Sequence, residues 1–122
     1  MTDTDRMVVW LRETLDAAGQ LAEAAARETT SADWEYQDHD NRLVATSPPR
    51  FTVADVDFFD SAPGRFMADN DPAAVLRRID RDRKTLDECV AAFDWDNWGA
   101  ASLAETTIRN LAEGWGWTEE TT

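Results

Sequence analysis

Apolar residues recur in alternating steps of three and four at Val8, Leu11, Leu15, Ala18, Ala22 and Ala25, which predicts a helix from about Thr4 to Glu28. The seam is narrow and tapers from large residues to alanines, so a neighbouring helix can come close along its second half. Val9 and Trp10 lie beside the seam and are expected to touch the rest of the domain. Between Asp33 and Val56 the period shortens. Trp34 to Gln37, Arg42 to Thr46 and Phe51 to Val53 read as short strands, separated by Asp38-His39-Asp40-Asn41 and Ser47-Pro48-Pro49.

A second helical pattern opens at Asp71-Pro72, where a capping carboxylate precedes a proline suited to the first helical position. Val75, Leu76, Ile79, Leu86, Val90 and Phe93 form its apolar face, and Arg77, Arg78, Arg81 and Lys84 occupy the remainder. A third helix is expected to start between Gly99 and Ser102 and to end at Gly114 as a left-handed cap, with Ala104, Ile108 and Leu111 facing inward. Val56, Phe58 and Phe59 read as a further strand or docked loop, and Ser61-Ala62-Pro63-Gly64 as a turn. These elements predict one α+β domain over residues 1–122: an N-terminal helix, a small antiparallel meander and two further helices packed on one sheet face. Trp115 and Trp117 should fold back on the body, and residues 118–122 should fray.

The segment Phe66-Met67-Ala68-Asp69-Asn70-Asp71-Pro72-Ala73-Ala74-Val75-Leu76 resembles the "hydrophobic-x-A-x-x-D-P-A-x-V-L" motif of a family of small, uncharacterised actinobacterial and actinophage proteins. The resemblance implies an N-terminal helix, a tryptophan-containing hairpin region and a motif that opens a second long helix; it implies no activity. Members often carry histidine where Phe66 and Asn70 stand, and cysteines toward the C-terminus. This chain has neither, so no metal site transfers.

Forty-three per cent hydrophobic residues in 122 is enough for one core, and six tryptophans and five phenylalanines supply large areas to bury. There is no apolar run long enough to span a bilayer and no basic leader, so a soluble, cytoplasmic protein is expected. The net charge of −13 opposes direct binding to nucleic acid or to anionic membranes. Arg77 to Lys84 holds five basic and two acidic residues, a net of +3, which leaves −16 on the rest of the chain. Most of these basic residues are expected to pair with Asp80, Asp82, Asp87 and loop carboxylates.

Candidate chemistry is sparse. Cys89 is the single cysteine and is read as a core or boundary residue, and His39 as an exposed loop residue. Asp94 to Glu105 aligns with a calcium-binding loop, with Asp94, Asp96, Gly99, Ser102 and Glu105 in suitable places. Trp98 stands where an oxygen donor belongs and Ala101 where a branched apolar residue belongs. Asp94, Asp96 and Glu105 therefore remain an alternative metal set, and no cofactor is expected. Carboxylates also group at Asp55, Asp57 and Asp60 and at Asp69 and Asp71, where capping and solvation account for them.

Trp95, Trp98, Trp115 and Trp117 exceed the packing needs of short helices, and tryptophan is enriched at interaction hot spots. The expectation is a non-enzymatic accessory protein, of phage or actinobacterial source, that binds a host protein with a basic surface or a second copy of itself. The alternative is an acidic decoy that occupies a nucleic-acid-binding surface.

Overall fold

The computed structural model describes residues 1–47, 50–56 and 61–121. In order the elements are α1 (Asp3–Glu28), β1 (Trp34–Gln37), β2 (Arg42–Ala45), β3 (Phe51–Asp55), α2 (Ala62–Asp69), α3 (Pro72–Ala92) and α4 (Trp98–Gly114). The fold is a small α+β one, with a three-stranded antiparallel sheet in the order β1-β2-β3. The chain divides into two compact units, Met1–Ala17 with Ile79–Thr122, and Ala18–Arg78.

The first unit is helical. At the start of α1, the Thr2 hydroxyl accepts from the Asp5 amide at 3.1 Å while the Asp5 carboxylate accepts from the Thr2 amide at 3.0 Å. This reciprocal pair satisfies donors that a helix start otherwise leaves free, and it holds the Asp5 carboxyl below the usual carboxylate range. Met7, Leu11, Leu86, Ile108, Ala112 and Trp117 form the core, with Val8, Trp10, Val90, Leu111 and Trp115 packed against it. Each fully buried leucine or isoleucine contributes about 1.5–3 kcal/mol. On the rim of this core, Arg12 pairs with Asp87 at 3.0 Å and Arg83 with Asp16 at 2.8 Å. The basic stretch of α3 therefore finds only part of its neutralisation within its own helix, through Arg81–Asp82 and Lys84–Asp80. Asp87 is paired from α1 instead.

The second unit is built around the sheet. Leu43, Val44 and Ala45 of the central strand are all buried, and the β2–β3 register shifts between Leu43 and Val44. Strict alternation breaks there because a bulge re-aims consecutive side chains. The expected turn at Ser61 to Gly64 is in fact the start of α2, which packs on β1 and β2. Proline is tolerated in a first helical turn, and Gly64, a poor helix former, is held in place by tertiary packing. Gly64 is buried against Tyr36, and a Cβ there would overlap the ring.

Asp71 joins the motif to the sheet. Its Oδ1 accepts from the Ala74 amide at 2.8 Å, capping α3, and its Oδ2 accepts from the Trp34 amide at 2.9 Å, fastening the first residue of β1. The Ala73 amide adds a bond to the Ala32 carbonyl at 2.9 Å, and the Asn70 carboxamide accepts from Arg78 at 2.8 Å. The Asp-Pro segment is thus an architectural fastening.

Four expected details differ. The helix count rises to four through α2, with α4 starting at Trp98 rather than within Gly99 to Ser102. Gly114 is the last residue of α4, and the positive φ of 109° falls on Gly116, which lets Trp117 turn back so that its amide bonds to the Ala112 carbonyl at 2.8 Å. Phe93 lies just beyond α3 and is partly exposed rather than buried on its face. Thr118 and Thr121 bond to one another across a terminal turn. Phe58 and Phe59, read as part of a strand or docked loop, lie outside the described residues.

Candidate partner-binding surface

The connection from α3 to α4 is short and tightly bonded. The amides of Phe93, Asp94 and Trp95 bond back to the carbonyls of Val90, Ala91 and Ala92, and the Asn97 amide bonds to the Trp95 carbonyl at 2.8 Å. Asn97 then caps α4, its side-chain oxygen accepting from the Ala100 amide at 3.0 Å. With the backbone fixed in this way, Trp95 and Trp98 project from it, 61% and 86% exposed. Their Cα atoms lie within roughly 11 Å of one another, the reach of three residues. Leu103 and Phe93 add exposed apolar surface to the same stretch of chain.

Charge along this stretch of the chain has a single sign. No lysine or arginine occurs from Thr85 to Ile108, and Asp94, Asp96 and Glu105 have no ion-pair partner among the described residues. As a calcium loop the segment is folded differently from what its alignment requires. Helix α4 begins at Trp98, the fifth loop position, so the residues from there to Glu105 are helical and cannot wrap an ion. Among the described residues no group of three or more His, Cys, Asp or Glu side chains could hold a metal.

The other two tryptophans of the predicted set are placed elsewhere. Trp115 is half-buried and donates from Nε1 to Asp82 Oδ2 at 2.8 Å, while Arg81 donates to Asp82 Oδ1 at 2.9 Å. Trp117 is 7% exposed and meets Trp10 edge-on, with ring centroids 5.5 Å apart and planes at 78°. The four candidates therefore divide into an exposed pair on the turn and a packed pair beyond α4. Sequence spacing carries no signal for that division, because all four are flanked by glycine or polar residues.

His39 is exposed beside Asp40, and Asp55 pairs with Arg42 at 3.2 Å. Asp57 and Asp60 lie outside the described residues, Asp69 is exposed, and Asp71 is committed to its cap. Cys89 is half-buried against the core, and burial, followed by the neighbouring Glu88 charge, pushes its thiol up; a bond with Thr107 acts in the opposite direction. One apolar surface escaped the sequence reading. In the second unit Leu21, 74% exposed, stands over a depression of about 220 Å³ lined also by Ala18, Ala22, Trp34, Pro72 and Val75. Leu21 falls off the three-four seam of α1, and that off-seam position was its only signal.

Fold and surface together define a small α+β protein that carries an exposed aromatic turn in an acidic stretch of its chain. The chain matches the family of unknown function DUF6221 over residues 4–116 and belongs to that family. No curated protein and no solved structure matches it. Among the described residues no helix is long and apolar enough to cross a membrane.

Proposed function

We propose that this is a non-enzymatic accessory protein, cytoplasmic and of actinobacterial or actinophage source, that works by binding another protein through Trp95 and Trp98. The observation that carries this reading is the exposure of both indoles on a backbone-bonded turn, inside a stretch with acidic and no basic side chains. Rigid aromatic anchors lose little conformational entropy on binding, and unpaired carboxylates around them select a basic partner surface. Trp115 and Trp117 enter this reading as packed residues of the helical unit.

A decoy acting through a phosphate-like array would need carboxylates free to face a partner. Asp16, Asp38, Asp55, Asp80, Asp82 and Asp87 each pair with an arginine or lysine and are not free in that way; the exposed indole pair is what favours the aromatic reading. The test is capture of partners from an actinobacterial lysate by the parent chain and by Trp95→Ala and Trp98→Ala. The expected result is loss of the same captured protein in one or both variants at unchanged thermal stability, with moderate salt dependence. Full capture by both variants, or loss that tracks salt alone, would favour the decoy.

A further inference from the structure

A second site lies in the helical unit, apart from the aromatic turn. Trp10 and Trp117 meet at 78° and form two walls of an open depression of about 150 Å³, lined also by Met1, Arg6, Val9, Glu13 and Thr121. Arg6 is paired with Asp3, whereas Glu13 has no ion-pair partner among the described residues. The pocket is therefore mainly apolar and aromatic on two sides, and Glu13 is the one acidic side chain in its lining.

We propose that this pocket binds a small alkylated ammonium group, of the quaternary or methylated-amine class. Indole faces are electron-rich and attract a cation laid against them, and tryptophan does so best of the aromatic side chains. Two nearly perpendicular rings let one rounded cation meet both, and the Glu13 carboxylate supplies the counter-charge. An alkylated ammonium suits apolar walls because it needs few hydrogen bonds, while a bare ammonium would forfeit its hydration there. The size agrees: the cavity has about half the roughly 300 Å³ at the lower end of small-molecule sites, which is room for a headgroup rather than a ring system.

The probe is choline, titrated into the full-length chain at constant ionic strength, with the indole N–H resonances of Trp10 and Trp117 followed by NMR. Its uncharged isostere 3,3-dimethyl-1-butanol is titrated in parallel. The expected result is saturable movement of both indole signals with choline, with binding of the alcohol weaker by roughly 2- to 30-fold. Glu13→Gln, at an exposed helical position, should weaken choline by about threefold or more while the backbone spectrum stays that of the parent. Equal binding of the alcohol, unchanged affinity in Glu13→Gln, or no saturable shift up to ~100 mM choline would each overturn the proposal.

Discussion

The indole N–H of Trp115 donates to the buried carboxylate of Asp82 at 2.8 Å, so a residue beyond the end of α4 completes the hydrogen bonding of a charge in α3. The other oxygen of Asp82 is met by Arg81, its exposed neighbour in sequence. Trp115→Phe keeps an aromatic ring, though a smaller one, and removes the donor, leaving a buried carboxylate under-satisfied, and should cost about 1–3 kcal/mol. A denaturant double-mutant cycle with Asp82→Ala, which removes the acceptor, checks this. Additive losses would show that the bond contributes nothing of its own.

Asp71 bonds to two amides in different elements, and graded substitutions should separate them. Asp71→Asn retains one accepting oxygen and so one of the two bonds, whereas Asp71→Ala loses both and leaves the Trp34 amide unpaired. The expected destabilisation is about 1–3 kcal/mol for alanine and less for asparagine, read from chemical denaturation. Hydrogen exchange should accelerate at Trp34 and Ala74 before it does so in α4. Equal midpoints for parent and both variants would contradict the fastening role.

Gly64→Ala sets two opposite effects against each other. Alanine is favoured in a helix by about 1 kcal/mol, yet its methyl would overlap the Tyr36 ring, and overpacking of that kind costs about 1–3 kcal/mol. The net change should be destabilising in the parent. In a Tyr36→Ser background the clash is gone, and the same substitution should become neutral or stabilising. Thermal melts of the four proteins decide it.

Cys89 should resist alkylation at neutral pH, because its raised pKa keeps the thiol protonated. The unfolded chain loses this proton first as pH rises. Stability from this group is therefore complete below the unfolded-chain value and is lost as pH rises through the folded value. Iodoacetamide labelling monitored by mass should be slower for the native chain than for the same chain in urea, with the difference narrowing at alkaline pH. Equal native and unfolded rates would place the thiol in open solvent.

Local patterns were enough to determine where most of the chain is helical or extended. The three-four seam of α1, the Asp71-Pro72 start of α3 and the short apolar run around Leu43 are short-range signals, since backbone periodicity and capping act within a few residues. The segment Ala62 to Asp69 defeated that reading, because Pro63 and Gly64 carry turn chemistry and only contact with β1 and β2 makes the helix worthwhile. The tryptophans show the same boundary more sharply. Composition marked Trp95, Trp98, Trp115 and Trp117 as a surplus, but exposure belongs to a residue's surroundings in space. The positive φ at Gly116 turns Trp117 onto Trp10, and Asp82, remote in sequence, holds Trp115, while the bonds that tighten the α3–α4 turn leave Trp95 and Trp98 in solvent. Burial is settled by long-range packing, and no window of neighbouring residues contains it.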